Sequence, residues 1–245
     1  MSKTAVLDAL YTFDLDKLRK TLQAKPALKS FRDEGGFDLL QICCRRLTDG
    51  DMTAADRQLR MAKWLVGEGF DPLETYVTKP GEDGEEEAAE LSLVFFAVAR
   101  AQSNVLARYF MERGAKPGAF FAAAWWGNSE ILEDMVRHGA DINEVVGGTP
   151  LHMAVEVVQR GVQGNPERAR RRLKCLKEFL RLGADPNIAA SDGTTPLHTA
   201  LKKEYVDAFK VLVQHGANPD VPGKDGRTVR EIASKKRDKR YSKAL

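Results

Sequence analysis

The chain has 245 residues, of which 43% are hydrophobic and 30% charged, with a formal net charge of +3. That balance excludes a strongly acidic solvating chain and any global electrostatic drive toward nucleic acid. Three cysteines, two of them adjacent at Cys43 and Cys44, supply neither a disulfide framework nor metal-ligand spacing and fit a reducing compartment. No apolar run approaches the length of a membrane span, and residues 1–18 carry acidic side chains where a signal peptide is apolar, so a soluble cytoplasmic protein is expected.

In chain order, Thr4 to Leu28 reads as a helical pair: Val6, Leu7, Leu10, Phe13, Leu15, Leu18 and Leu22 recur at helical spacing, with a break near Thr12 to Asp14. A second pair opens after Gly35 and Gly36 with Phe37, Asp38, Leu39 and Leu40, and closes near Gly69, Phe70, Asp71 and Pro72. Its extra length falls around Thr48 to Met52, where Thr53 and Asp56 resemble a capping box, and both helices are expected to be lengthened there. A connector follows, with Glu82, Asp83, Glu85, Glu86, Glu87 and Glu90, and reads as a solvated spacer. The third pair spans Leu93 to Ala115, and the fourth runs from Gly118 to Gly139, with Ala122, Ala123 and Ala124 allowing close packing. The fifth opens on Thr149, Pro150, Leu151 and His152 and closes on Gly183, Ala184 and Asp185. It carries an insertion near Gly161 to Arg172, in which Asn165 and Pro166 read as the N-cap and first residue of an arginine-rich helix.

The clearest unit is Thr195 to Asp220. Thr195 is a good N-cap, Pro196 suits the first helical turn, and Leu197, Ala200 and Leu201 share one face. Val206, Phe209, Val211, Leu212 and Val213 give the second helix its apolar surface, and Gly216 ends it with Pro219 just beyond. Thr195 to Gly216 spans 21 positions, an interval repeated from Leu93 to Gly114 and from Gly118 to Gly139, and Thr228 lies 33 positions beyond Thr195. This stretch resembles an ankyrin repeat, with Thr195, Pro196, Leu197 and His198 matching the family's TPLH opening and Gly216, Ala217 and Asn218 its closing turn. Two helices this short leave an apolar face that a lone hairpin cannot bury, so similar units must stack. The resemblance implies an all-α ankyrin-repeat solenoid of stacked helical hairpins joined by β-turns and short hairpins. It is expected as one domain: residues 1–34 as a degenerate N-terminal cap, 35–74 as a repeat with an insertion, and 75–90 as the acidic connector. Repeats follow at 91–117, 118–146, 147–190 (with an insertion) and 191–222, then a partial cap with a basic tail at 223–245.

Four histidines invite a catalytic or metal reading. His152 and His198 fall in the TPLH slot, where the resemblance implies hydrogen bonds to neighbouring turn backbone, and His138 and His215 precede closing glycines, so a structural role is expected for all four. No nucleophile stands beside a base and no glycine loop cradles a phosphate, so no enzyme, metal or cofactor is expected. The resemblance implies a binding scaffold that recognises a protein partner through its concave groove and turn tips. In the groove it selects Trp125 and Trp126 as an aromatic centre, with Arg45, Arg100, Glu156, Val157, Lys202 and Lys203 in equivalent slots. At the tips it selects Asn143, Glu144, Ser191, Asp192, Thr194, Lys224, Asp225 and Arg227. A monomer is expected. The alternative is nucleic-acid or anionic-surface binding through Arg168, Arg170, Arg171 and Arg172 and the basic tail.

Overall fold

A helix of two or three turns keeps its apolar face from water only by packing on a neighbour, and this chain does so through consecutive helical hairpins. The computed structural model describes residues 3–47, 52–78, 90–162 and 165–245. It divides into two units, Met1–Ala119 and Phe120–Leu245.

Unit one holds α1 (Lys3–Thr12), α2 (Leu15–Ala24), a 3-10 turn at Pro26–Ser30, α3 (Leu39–Cys44) and α4 (Met52–Gly67). Strands β1 (Tyr76–Val77) and β2 (Glu90–Leu91) follow, then α5 (Leu93–Phe96), which runs into a π-helical turn at Ala97–Ala101, and α6 (Asn104–Met111). Helices α1, α3 and α5 pack side by side as one row, and α2, α4 and α6 as the other. The ends of the acidic connector pair as an antiparallel ribbon, Tyr76 opposite Leu91 and Val77 opposite Glu90. Apart from Glu90, the acidic run lies outside the described residues.

Unit two comprises α7 (Phe120–Trp126), a 3-10 turn at Ser129–Ile131, α8 (Leu132–Arg137), α9 (Pro150–Val162) and α10 (Pro166–Arg181). It continues with α11 (Pro196–Lys202), α12 (Val206–Gln214), α13 (Val229–Lys235) and α14 (Lys239–Ser242). An inner row of α7, α9, α11 and α13 packs against an outer row that includes α10, α12 and α14. Leu151, Leu197, Phe179, Phe209 and Leu212 lie wholly buried between the rows.

Helices α3, α5, α9, α11 and α13 of the inner rows start where a polar side chain accepts from a backbone N–H in the first turn. In α11, Thr195 accepts from the His198 N–H while the His198 ring accepts from the Thr195 N–H. Thr228 and Glu231 form the same reciprocal box on α13, and Asp38 and Gln41 form it on α3. The opening of the second repeat therefore lies one residue later than the sequence reading set it: Asp38, Leu39, Leu40 and Gln41 take the slots, and Phe37 instead stacks on Tyr76 at 4.0 Å. In the third repeat Ser92 is the cap, accepting from the Phe95 N–H. Inner helices in several repeats end on a left-handed residue: Gln102, Gly127 and Glu204. Ser92 to Gln102 is 10 positions, whereas Thr195 to Glu204 is 9, and the π-helical turn absorbs the extra residue.

The insertions are handled asymmetrically. In the second repeat only the outer helix is long, 16 residues in α4 against 6 in α3, so the expectation that both would lengthen fails there. Helix α4 begins at Met52, which puts Thr53 inside it; Thr48 to Asp51 lie outside the described residues. In the fifth repeat both helices lengthen, and Asn165 caps α10 by accepting from the Glu167 and Arg168 N–H groups at 3.1 Å. Each long outer helix sends one buried polar side chain back to the inner row. Gln58 donates to the carbonyls of Cys43 (2.8 Å) and Arg46 (3.0 Å), and Arg172 donates to those of Val157 (2.6 Å) and Trp125 (3.1 Å). The Cys43 and Trp125 carbonyls lie in the last turns of α3 and α7, where intrahelical donors run out. Gly127, at φ +68°, lets α10 approach: a Cβ there would meet the Arg172 backbone at 3.2 Å.

The basic tail ends in a packed helix. Lys239–Ser242 form α14, Asp238 caps it, and Tyr241 is 1% exposed with its ring edge-on to Phe209 at 5.1 Å.

Two mutational outcomes follow from this packing. Arg172→Ala strips two inner-helix carbonyls of their donors and opens a void, so it should destabilise the fold by about 2–4 kcal/mol in urea unfolding. Arg172→Lys should recover less than half of that, because an ammonium lacks the fork that reaches both carbonyls. The Tyr241 hydroxyl is buried and finds no hydrogen-bond partner among the described residues, so Tyr241→Phe should leave the melting temperature unchanged or raised, whereas Tyr241→Ala should cost about 3 kcal/mol or more.

Candidate functional site

Unit two carries a cleft of about 950 Å³ along the inner row and its turn tips. Its floor is set by repetition. Met153, Thr199 and Ile232 each stand four residues after the capping threonine of their helix, and all three line the cleft, with Phe121 of α7 beside them. None of these four was singled out from sequence, although the common offset from Thr149, Thr195 and Thr228 is legible there. Phe121 occupies the slot that His152 and His198 fill in later repeats: it lies six residues before the left-handed Gly127, as His198 lies six before Glu204.

The walls come from the tips. Asp192 accepts from the Thr194 N–H (3.0 Å) and hydroxyl (2.6 Å), and Asp225 accepts from the Arg227 N–H (3.2 Å) and its guanidinium. These bonds hold both Asp192 and Asp225 below the ordinary carboxylate range. Ser191 bonds to the Gly147 carbonyl of the preceding tip through its hydroxyl (2.8 Å) and its N–H (2.9 Å). Asn143 is spent on the same kind of joint: its amide oxygen accepts from the Asp185 N–H at 2.8 Å, and its amide nitrogen lies 3.5 Å from the Gly183 carbonyl. Asn187 repeats that arrangement with Asn218 (2.7 Å) and Gly216 (3.1 Å).

The selected residues thus separate. Glu156, Ser191, Asp192, Thr194, Lys202, Lys203, Lys224, Asp225 and Arg227 share the cleft. Glu144 is exposed on the tip whose Asn143 fastens the next repeat. Val157 is a correction: it is fully buried within α9, which packs against α10, and its carbonyl accepts from Arg172. The two tryptophans are not the cleft's aromatic centre. Trp125 is 36% exposed and Trp126 half-buried at the end of α7, outside the cleft lining, and Phe121 supplies the aromatic surface instead. Arg45 and Arg100 belong to unit one, where they line a hollow of about 340 Å³ with Phe37, Tyr76 and Phe96; Arg45 lies 3.7 Å over the Phe37 ring and 3.7 Å from Asp33.

The histidines act on backbone. The His152 Nδ1 accepts from the Thr149 N–H at 3.1 Å, which leaves Nε2–H to donate to the Thr194 carbonyl of the next repeat at 2.9 Å. Burial pushes the His152 pKa down, partly offset by that carbonyl. His138 and His215 lie 2.8 Å from the carbonyls four residues before them, Asp134 and Val211. Cys43, Cys44 and Cys175 are buried, and desolvation pushes the Cys43 and Cys175 thiols up to about 12, which opposes thiolate chemistry. Among the described residues no three His, Cys, Asp or Glu side chains are grouped to hold a metal ion, and no helix is long and apolar enough to cross a membrane. Of the arginine-rich helix, Arg168, Arg170 and Arg171 are exposed, while Arg172 is turned inward. In the tail, Arg240 pairs with Asp238 and Lys236 with Glu204.

Residues 168–245 match the family model of ankyrin repeats in three copies. Over its whole length the chain superposes on the crystal structure of the human ASB11 ankyrin repeat domain with a TM-score of 0.71 at 22% identity, covering 96% of that chain. It also superposes on the ankyrin repeat domain of Bcl-3 with a TM-score of 0.69 at 17% identity, covering 98% of that chain. Among curated proteins it is 28% identical over 158 residues to the human transient receptor potential cation channel subfamily A member 1, matching 62% of this chain and 13% of the channel. It is 41% identical over 75 residues to mouse ankyrin repeat and SOCS box protein 6, matching 29% of this chain and 15% of that protein. The chain therefore spans less than a sixth of either relative. Residues 168–245 are thus ankyrin repeats by sequence, and the chain has the ankyrin-repeat fold; ankyrin repeat domains are generally protein–protein interaction modules.

The hydrogen-bond pattern at His152 requires a neutral ring. Because its folded pKa lies below the ordinary 6.5, the unfolded chain takes up the proton more readily. Its contribution to stability should be complete above pH 6.5 and be lost as pH falls below that value. Thermal melts at pH 8 and pH 5.5 should show a smaller drop for His152→Gln than for the native chain, since a glutamine can form the cap, as Gln41 does, without titrating.

Proposed function

We propose that this protein is a non-catalytic scaffold that binds a partner protein in the cleft of unit two. One observation carries the reading: nine of the residues selected from sequence converge on a single 950 Å³ cleft whose walls are already fixed by hydrogen bonds within and between the tips. A surface ordered before contact loses little conformational entropy on docking. The tips cannot relax separately, because the Ser191 and His152 bonds tie each to its neighbour. The reading includes a monomeric chain in the cytoplasm, consistent with three buried free thiols. Trp125, at the rim of α7, is an accessory contact in this reading, and Arg45 and Arg100 form a separate unit-one surface.

Photo-crosslinking tests it. A diazirine side chain in place of Thr199, on the cleft floor, should give a discrete protein adduct in cell extract, whereas the same group in place of Lys210, exposed on α12, should not. Adducts from position 210 alone, or none from position 199, would reject the cleft as the site.

A further inference from the structure

The cleft differs from end to end. Toward α7 and α9 it is apolar, with Phe121, Met153 and Val146 on its lining. Val146 and the neighbouring Val145 are 58% and 51% exposed, an uncommon exposure for adjacent β-branched side chains. Toward α11 and α13 it is cationic. Of the basic side chains there, Lys203 is matched by Glu156 (3.1 Å), Arg227 by Asp225, and Lys236 by Glu204 (2.8 Å). Lys202 and Lys224 are exposed and belong to no ion pair among the described residues. Both lie near enough to Asp192 to reinforce the lowering of its pKa that Thr194 chiefly causes, so one carboxylate answers two ammonium groups.

Resting on the reading above, we propose that the cleft takes an extended acidic segment of a partner protein, with an apolar side chain seated at Phe121, Met153 and Val146 and carboxylates placed against Lys202 and Lys224. The occupant must run along the inner row, because the apolar and cationic contacts sit on successive repeats. Discrete carboxylates suit this wall better than a nucleic-acid backbone does. Glu156, Asp192 and Asp225 share the lining and would oppose a continuous row of phosphates, and two exposed valines would stay uncovered. Unmatched lysines at an exposed rim also set the rate of encounter, so binding should weaken as salt rises.

The test is fluorescence anisotropy on the full chain with three labelled dodecapeptides. One has two leucines at one end followed by spaced glutamates, the second has lysines in place of the glutamates, and the third is a scramble of the first. Labelled oligothymidylate serves as the nucleic-acid probe. The leucine–glutamate peptide should bind most tightly, by about tenfold over the lysine peptide, and lose affinity between 0.05 and 0.3 M salt. Lys202→Glu with Lys224→Glu should weaken it about tenfold or more without shifting the melting temperature, and Val146→Asp about threefold or more. Equal binding of the lysine peptide, indifference to the double charge reversal, or tighter binding of oligothymidylate would overturn the proposal. The two readings fail separately. A basic or neutral protein crosslinked at position 199 would remove the acidic-segment proposal and leave the cleft as the binding site, whereas no adduct there would remove both.

Discussion

The structure rests on a hydrogen bond that faces two ways. In the fifth repeat the imidazole of His152 closes the first turn of its own helix through Nδ1 and reaches the carbonyl of Thr194 in the following repeat through Nε2–H. His198 repeats the pattern toward Arg227 more loosely, at 3.4 Å. A group that caps a helix and fixes the next turn couples local structure to repeat-to-repeat spacing in one side chain. The apolar contacts between rows supply most of the driving force, but they are tolerant of sliding. Directional bonds at the tips set where each repeat stops.

The cleft follows from that constraint. Once tips are held at a fixed offset from the inner helices, the residue four positions after each cap must face the same way, whatever its chemistry. Met153, Thr199 and Ile232 share no property except position, yet they form one floor. The polarity along it comes from single repeats: α7 contributes Phe121 where α9 and α11 keep histidine, and α11 contributes Lys202 and Lys203. Function in such a molecule is a matter of which side chains fill places the backbone has already defined.

Much of this was readable from the chain because caps and closing glycines are local signals. Thr149, Thr195, Gly183 and Gly216 announced their roles through their immediate neighbours, and the Asn165–Pro166 start was equally plain. What resisted reading was chemistry that substitutes one group for another at the same place. Asp38 and Gln41 form the same reciprocal cap as Thr195 and His198, but no shared letters betray it, so the second repeat was framed one residue early. The extra residue after Ser92 is absorbed by a π-helical turn, which leaves no periodic trace. Arg172 sat in a run of arginines with nothing local to set it apart, and the close approach of α10 to Gly127 and its bonds to the Val157 and Trp125 carbonyls show that it points inward. Val157 was placed by analogy with Lys203, but α11 ends at Lys202 whereas α9 runs on to Val162, so position 157 lies inside a helix that packs against α10.

The joints made by Asn143 and Asn187 read only main-chain atoms of the repeat that follows: a carbonyl at the closing glycine and an N–H two residues on. Nothing in them depends on which repeat supplies those atoms. If residues 184–216 were excised, Gly183 would be followed by Ala217 and Asn218, and Asn143 would face the same two backbone groups that Gly183 and Asp185 present now. Whole repeats can therefore be lost or duplicated in descent without redesigning a junction, and each such event would lengthen or shorten the cleft by one unit while leaving the remaining recognition residues in phase.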